Sequence, residues 1–287
     1  MKYVITSCNR KKGTKGDDTG NLTQYFELGW ELIISRLCLI SMIKEGHFNP
    51  ETDTVVTNSS REFLYSAFCK NVISYEDFHD MKLSTDDKIF DLVEEVVLAG
   101  GYRVNNSAAK LWGVSAINAE EPFKYTKDQA PQIQQFDLLD PTQIIKDKND
   151  YICFVIRKRD WCDHRNLTEE QIKTCFKYAK DKNLTVYVMG KGCETYNDPE
   201  NNVYHINLRE LATLINHNKC KALLTTLTGG SVIRFFTGTC RMITFDLGSE
   251  YNPKTPLWGG DMIVFSNLKP YNWILLNKFE ENILNVL

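Results

Sequence analysis

The sequence predicts an α/β fold in which short strands alternate with helices around parallel sheets. Two observations support this prediction. Short apolar runs rich in β-branched and aromatic residues, such as "YICFVIRK" and "LTVYVMGKG", are typical of buried strands. Segments with helical spacing and N-capping residues separate them, as in "LTEEQIKTCFKYAKDKN", where Thr168 precedes an acidic first turn. We therefore expect sheets that carry helices on both faces.

In the first half, a strand over residues 2–6 precedes a polar loop, and apolar spacing predicts a helix over 23–44. The segments "DTVVTNSS" and "NVISYEDF" predict two more strands. The segment "DDKIFDLVEEVVLAGG" predicts a capped amphipathic helix that ends at a glycine pair. These elements indicate a first α/β domain.

The second half repeats the alternation more regularly. The chain becomes polar around "DLLDPTQIIKDKNDY", and we place a domain boundary there, which divides the chain into domains 1–148 and 149–270. The segments "NVYHIN", "CKALLTTLTGG" and "RMITFDLG" predict further strands of the second domain. The segment "NWILLNKFEENILNVL" predicts a terminal amphipathic helix over 271–287.

Composition excludes several classes of protein. The chain has 287 residues, of which 43% are hydrophobic and 25% charged, as in a globular protein with a substantial core. A net charge of −3 argues against a nucleic-acid-binding protein. The most apolar segment, "WELIISRLCLISMIKEG", contains Glu31 and Arg36 and does not predict a membrane span. Residues 1–150 hold 17 Lys/Arg against 23 Asp/Glu, and residues 151–287 hold 17 against 14, so an anionic ligand would favour the second half.

The cysteines and histidines predict neither disulfides nor a metal site. Nine cysteines are scattered without a CxxC pair, which is typical of reduced thiols and predicts a cytoplasmic protein. The histidines have no ligand spacing such as HxH or HxxxH, and no DxD triplet is flanked by apolar strand residues. We expect no metal and no bound cofactor.

Basic residues and glycine turns follow four predicted strands of the second half, in "IRKRDWCDHRN", "MGKG", "HINLRE" and "TLTGGS". Because parallel strands end at one edge of a sheet, we expect these segments to lie along that edge. Two glycines and a serine at a strand-to-helix junction expose backbone N–H groups that bind phosphate well. Each segment is also compatible with an ordinary turn or solvated loop. The pattern is neither GxxxxGK[ST] nor GxGxxG, which argues against ATP hydrolysis and hydride transfer.

On these motifs, residues 150–270 resemble the donor-binding domain of GT-B glycosyltransferases, which have two facing Rossmann-like domains. The resemblance implies acceptor binding by 1–148, nucleotide-sugar binding by 149–270, and a terminal helix 271–287 that crosses back to the first domain. The small size and the asparagine-rich, cysteine-rich style resemble compact transferases of large DNA viruses. The residues that the resemblance assigns to the donor are Arg157, Arg159, Arg165, Gly190, Lys191, His205, Ile206, Leu208, Thr228, Gly229, Gly230 and Ser231.

The resemblance also implies a reaction. The acidic E-x₇-E pair of many retaining members is absent after Gly229, which favours inversion. The resemblance also implies that the reaction needs no metal. Inversion requires a base for the acceptor hydroxyl, and we assign this role to Asp18, with Asp17, in "GTKGDDTGN". Glu76 and Asp77 are the competing candidates, and the Asp pair is also compatible with helix capping.

The partners implied are a nucleotide-diphosphate sugar as co-substrate, with UDP favoured, and a glycan acceptor. A GDP-fucose-dependent fucosyltransferase is an alternative. So are a nucleotide-sugar epimerase, which would use His205 with Glu210, and a non-catalytic nucleotide- or glycan-binding module. The sequence leaves the sugar and the oligomeric state open.

Overall fold

The computed structural model describes residues 1–7, 28–92, 131–158, 166–190, 192–226, 228–245, 272–276 and 279. These residues form two compact units. Along the described chain the first unit ends at Asp137 and the second begins at Leu138, and Trp273–Leu276 belongs to the second. The predicted boundary at 148/149 and the binding role assigned to each side remain predictions.

The first unit contains a parallel sheet. Within the described chain its strands occur in the order β3-β2-β1-β4, so the chain moves outward from β1 to β3 and returns to pair β4 with the other side of β1. This arrangement confirms the predicted α/β class with parallel strands. The strands are β1 (Lys2–Ile5), β2 (Thr54–Thr57), β3 (Asn71–Ser74) and β4 (Lys88–Asp91).

Helices of the first unit follow β1 and β3. The predicted helix over 23–44 is confirmed from residue 28 onward, and residues 23–27 lie outside the described residues. It consists of α1 (Leu28–Trp30), a π-helical turn (Glu31–Ser35) and α2 (Arg36–Lys44). Helix α3 (Tyr75–Asp80) begins directly after β3.

The helix predicted in "DDKIFDLVEEVVLAGG" is wrong for Lys88–Asp91, which forms β4. The register joins Ile89 to Tyr3 and Phe90 to Val4 of β1. A short apolar run does not distinguish a strand from a helix by period alone, and pairing with β1 decides the outcome. The later residues 93–101 of that segment lie outside the described residues.

The second unit contains a larger parallel sheet, described as six strands in the order β10-β9-β8-β5-β6-β7. Counted from its first strand, this is the 3-2-1-4-5-6 order of Rossmann folds, and the order reverses between β5 and β8. Every adjacent pair is parallel. The strands are β5 (Tyr151–Val155), β6 (Thr185–Met189), β7 (Val203–His205), β8 (Cys220–Thr226), β9 (Arg241–Phe245) and β10 (Trp273–Leu276).

Helices connect these strands, and their starts are capped. They are α4 (Glu169–Asp181), α5 (Leu208–Leu214) and α6 (Gly229–Phe236). The predicted N-cap of α4 is confirmed, because Gln171 N donates to Thr168 Oγ1 (3.2 Å) and Thr168 N donates to Gln171 Oε1 (2.9 Å). The core lies between sheet and helices, where apolar residues of the central strands pack against Ile172, Cys175 and Ala179 of α4.

The predicted terminal helix 271–287 is wrong for Trp273–Leu276, which forms β10 beside β9. The register pairs Trp273 with Met242 and Leu276 with Phe245. Four consecutive apolar residues fit a strand at the end of a buried parallel sheet as well as they fit a helix face. Apart from 272–276 and Phe279, this segment lies outside the described residues.

Several sequence expectations concern cysteines, metals and membranes. Seven cysteines lie in the described ranges, and all are free and buried. Those ranges contain no group of histidine, cysteine and carboxylate side chains arranged to hold a metal ion. No helix in the described part of the chain has both the length and the apolar character needed to cross a bilayer.

Candidate binding site

The carboxyl edge of the second sheet collects the predicted donor residues that the structure describes. In parallel sheets of this kind, ligands bind beyond the carboxyl ends of the strands, where the strand order reverses. Arg157 follows β5, Gly190 follows β6, and residues 228–231 follow β8, so all three lie at or next to the reversal. The predicted residues Asp17, Asp18, Arg159, Arg165 and Lys191 lie outside the described residues.

The start of α6 uses some backbone N–H groups for its own cap and leaves others available. Thr228 N donates to Ser231 Oγ (3.1 Å), and Ser231 N donates to Thr228 O (3.0 Å). The Ser231 hydroxyl donates to the same carbonyl (2.6 Å), so Ser231 serves the cap. Among the described residues, the N–H groups of Gly229 and Gly230 donate to no acceptor. Two donors thus stand at the positive end of a helix.

Gly230 also has a packing function. A Cβ at this position would lie 2.6 Å from Met189 Cε and 2.9 Å from Val155 Cγ1, closer than such atoms can approach. The absent side chain therefore lets α6 begin directly against the ends of β5 and β6. Substitution by alanine would disturb the ligand-free protein, so Gly230→Ala does not separate a turn from a phosphate site.

Gly190 is required by a similar close approach. Its φ is +154°, and a Cβ there would overlap the carbonyl oxygen of Ile156 and lie 2.9 Å from Cys193 Sγ. Because Ile156 N donates to Met189 O (2.9 Å), the chain segments that leave β5 and β6 stay in contact at this point. The edge of the sheet is closely packed there.

Two hydroxyl groups at the end of β8 are buried without a hydrogen-bond partner among the described residues. They are Oγ1 of Thr226, a residue that is 1% exposed, and Oγ1 of Thr228. The neighbouring Thr225 differs, since its hydroxyl donates to Thr226 O (2.7 Å). An unsatisfied buried hydroxyl costs about 1–3 kcal/mol, so these groups have hydrogen bonds to offer a ligand. Sequence analysis missed Thr226, although a Thr-Thr pair that ends an apolar strand is a visible signal.

Arg157 places a guanidinium at the end of β5. The residue is 5% exposed, and its Nη1 donates to Oδ1 of Asn166. Asn166 precedes α4 and is a second residue that sequence analysis missed. Since an arginine that is held by packing and by a hydrogen bond loses little freedom on binding, this geometry suits an anionic ligand.

The charge of Lys158, the next residue, is already compensated by a carboxylate. Its Nζ lies 2.9 Å from Glu169 Oε1 and 4.4 Å from the centroid of the Tyr196 ring. The Tyr196 hydroxyl donates to the same carboxylate oxygen (2.7 Å). Hydrogen bonding to Tyr196, and then to Glu169, raises the pKa of the Lys158 amine above its ordinary value. Lys158 therefore joins α4 to the loop after β6.

His205, Ile206 and Leu208 lie farther from the reversal, because β7 is the outermost strand on its side of the described sheet. Ile206 is buried and its N–H donates to Val188 O (2.8 Å). Glu210, which the epimerase alternative requires, accepts a hydrogen bond from Asn207 N (2.7 Å) and so caps α5. This carboxylate has a local structural partner.

The competing base candidates in the first unit also have local partners. The Ser74 hydroxyl caps α3 by accepting from Asp77 N (3.0 Å) and donating to Asp77 Oδ2 (2.6 Å). The Ser59 hydroxyl donates to Glu76 Oε2 (2.8 Å). Both carboxylates therefore take part in the short-range structure around α3.

A buried carboxylate in the first unit is absent from the residues that the sequence assigns to a site. Glu31, in the π-helical turn, is 0% exposed and accepts from Arg61 Nη1 (2.7 Å), Thr57 Oγ1 (2.5 Å) and the Tyr65 hydroxyl (3.0 Å). A π-helical turn is often found at a functional site. The available signal is a charge within an apolar helical segment, which in a folded protein requires a buried partner.

Comparison with solved structures finds a match over the whole chain. E. coli heptosyltransferase WaaC with ADP aligns with a TM-score of 0.53 and 13% identity, and the alignment covers 100% of this chain and 98% of that one. The fold of this chain is similar to that of a heptosyltransferase. At this identity the likeness concerns the fold alone, so the roles of single residues have to come from this chain's own geometry.

Two other solved structures are similar at lower scores. E. coli ADP-heptose lps heptosyltransferase II has a TM-score of 0.49 at 10% identity, covering 96% of this chain and 90% of that chain. A glycosyl transferase family 9 protein from Veillonella parvula has 0.48 at 12%, covering 96% and 85%. No family model and no curated protein matches the sequence. The match to WaaC confirms the predicted likeness to a glycosyltransferase fold, and the resemblance to viral enzymes is not supported.

Proposed function

We propose that this protein is a glycosyltransferase that binds a nucleotide-diphosphate sugar at the carboxyl edge of the second sheet. The observation that carries the proposal is the start of α6, where the N–H groups of Gly229 and Gly230 have no acceptor among the described residues. This start lies at the reversal of strand order, where Rossmann-like domains bind nucleotides. The likeness in fold to a heptosyltransferase solved with ADP supports it.

The chemistry expected of this edge is stabilisation of a leaving diphosphate. When the bond from the sugar to the diphosphate breaks, negative charge grows on the phosphate oxygens. Backbone N–H groups at a helix start and the Arg157 guanidinium would stabilise that charge. The hydroxyls of Thr226 and Thr228 would add neutral donors. Arg159, Arg165 and Lys191 are the further cations that we assign to the donor.

We favour a metal-independent reaction that inverts the anomeric centre. The sequence has no DxD triplet between apolar strand residues and no E-x₇-E pair after Gly229. Inversion needs a base to accept the proton of a glycan hydroxyl. Asp18, with Asp17 as its neighbour, remains our proposal, because Glu76 and Asp77 are hydrogen-bonded around α3.

The nucleotide is expected to be uridine or adenosine diphosphate. The sequence resemblance favours UDP, whereas the heptosyltransferase was solved with ADP. The backbone of His205–Leu208 is our proposed contact for the base. A shift in melting temperature with UDP-, ADP-, GDP- and CMP-sugars distinguishes these donors, since a ligand at 100 times its Kd stabilises a protein by about 2.7 kcal/mol.

Release of free nucleoside diphosphate from the stabilising donor tests the reaction itself. A glycosyltransferase releases it, and faster with an acceptor. An epimerase changes the sugar and leaves the nucleotide bond intact, and a binding module shows a thermal shift without release. Arg157→Ala should lower release, whereas Lys177→Ala removes an exposed lysine of α4 and should leave it unchanged. A thermal shift with none of the UDP-, ADP- and GDP-sugars would contradict the proposal, as would a shift with the CMP-sugar alone.

A further inference from the structure

A second polar cluster lies at the carboxyl edge of the first sheet. It contains Ser7, two residues after β1, and Asn58, the residue after β2. Asn58 Nδ2 donates to Ser7 Oγ (2.7 Å), and Arg61 Nη1 donates to the same oxygen (3.0 Å). Ser7 is fully buried and Asn58 is 4% exposed.

Together, Ser7 and Asn58 have one hydrogen bond left to donate and one left to accept. Both neighbours of Ser7 Oγ are donors, so this oxygen accepts twice and its own proton has no acceptor among the described residues. Asn58 Oδ1 is buried and has no donor within the same part of the chain. An unmet donor and an unmet acceptor therefore stand side by side. Buried polar groups of this kind are nearly always satisfied by protein, water or a ligand.

The surrounding residues fix the orientation of this pair. The Arg61 nitrogen that contacts Ser7 also lies 2.7 Å from Glu31 Oε2, and Glu31 is fully buried. Between Asn58 and Arg61, Ser60 has φ +70°, a left-handed conformation that is uncommon for a residue with a side chain. Arg61 and Glu31 thus act as positioning residues, because they hold the Ser7 hydroxyl with its proton directed away from them.

We propose that Ser7 and Asn58 bind an alcohol group of the sugar acceptor. An alcohol oxygen accepts the Ser7 proton while its own proton is donated to Asn58 Oδ1, which satisfies both groups at once. A phosphate or carboxylate would bring a further acceptor to Asn58 Oδ1, so the pair selects a neutral polyol. Calling the bound sugar an acceptor rests on the proposed function, whereas the subsite itself is defined by this chain's geometry alone.

Saturation-transfer NMR with three probes tests the subsite: methyl α-D-glucopyranoside, methyl α-D-mannopyranoside and methyl α-D-galactopyranoside. We expect transfer to at least one of them in the wild type. Ser7→Ala removes the donor, and Asn58→Asp places an oxygen where Nδ2 stood and so captures the Ser7 proton. Each variant should bind that glycoside about two- to tenfold more weakly. Ser59→Ala, which removes an exposed hydroxyl from the same loop, should bind as the wild type does.

The thermal shift with nucleotide-sugars is measured on the same variants to separate the two proposals. We expect Ser7→Ala and Asn58→Asp to keep the wild-type shift and cooperative unfolding. If no nucleotide-sugar binds but glycoside binding still depends on Ser7, the proposed function fails and the subsite stands. If none of the glycosides shows transfer, or if Ser7→Ala binds as tightly as the wild type, the subsite is overturned.

Discussion

The two sheets end in edges of different chemical character. At the first edge, a buried carboxylate and a guanidinium face each other, and Thr57 and Tyr65 hydrogen-bond to Glu31 around them. At the second edge, backbone N–H groups of Gly229 and Gly230 have no acceptor among the described residues. Because the charges of Glu31 and Arg61 compensate each other, the first edge presents the neutral hydroxyl of Ser7 and amide of Asn58. The second edge presents donors suited to an anion.

If both proposals hold, a common strand arrangement binds two kinds of ligand in this protein. In both sheets the strand order reverses beside the first strand, so the topology determines where in each sheet a ligand is expected. The chemical class of ligand expected at each site depends on the residues that follow the strands in that half of the chain. The excess of acidic residues in 1–150 and of basic residues in 151–287 agrees with this division.

The largest expected effect comes from Gly190, where the second edge depends on backbone contact. Gly190→Ala would force a methyl against the Ile156 carbonyl, and we expect a loss of about 4 kcal/mol in the free energy of unfolding. Gly192 is the matched control, because φ is +75° there and no described atom would lie within 4 Å of an added methyl group. Gly192→Ala should cost about 1 kcal/mol. Urea denaturation of both variants measures the difference, and equal losses would contradict the close approach at Gly190.

A smaller loss is expected at the first edge, where charge pairing replaces backbone contact. Glu31→Gln keeps the shape of the side chain but removes the charge that compensates Arg61, at a cost of about 3 kcal/mol. Glu51→Gln, at an exposed carboxylate, should change the free energy of unfolding by less than about 0.5 kcal/mol. Urea denaturation measures both. Nucleotide-diphosphate affinity, corrected for the folded fraction, should be unaffected, and a specific loss in Glu31→Gln would break the separation of the two edges.

The smallest effect distinguishes two neighbouring threonines at the end of β8. Thr226→Val removes a buried hydroxyl without a partner among the described residues, and should leave the ligand-free protein as stable as before or up to about 1 kcal/mol more stable. Thr225→Val removes a hydroxyl that donates to Thr226 O and should cost about 1 kcal/mol. Thermal denaturation without ligand compares them. A larger loss for Thr226→Val than for Thr225→Val would mean that the Thr226 hydroxyl has a structural partner.

Sequence patterns predict β5 to β9 of the second sheet well, because these strands are short apolar runs and capped helices separate several of them. Thr168, with an acidic first turn after it, predicts the start of α4, and the structure contains that cap. At Lys88–Asp91 and Trp273–Leu276 the sequence predicts helices, because an apolar run of only two to four residues fits either period. Only the neighbouring strands, β1 and β9, determine that both segments are extended.

The contacts of the candidate sites are less accessible to sequence analysis. Glu31 and Arg61 are thirty residues apart in the chain, and only the fold brings them within 2.7 Å. The packing function of Gly230 depends on Met189 and Val155, which come from two other strands. A glycine in the sequence is compatible with a turn, a phosphate or close packing, so long-range position is needed to separate these uses.

Calorimetric titration of Arg157→Ala tests the central claim that the second edge binds a diphosphate. Wild type, Arg157→Ala and the control Lys177→Ala are each titrated with UDP and uridine, and with ADP and adenosine. We predict that Arg157→Ala loses a charge-assisted contact of about 1.5–3 kcal/mol, which weakens the nucleoside diphosphate about 10- to 150-fold and leaves the nucleoside nearly unchanged. Lys177→Ala should bind all four ligands as the wild type does. Equal losses for diphosphate and nucleoside, or a wild type that binds neither diphosphate, would contradict the account.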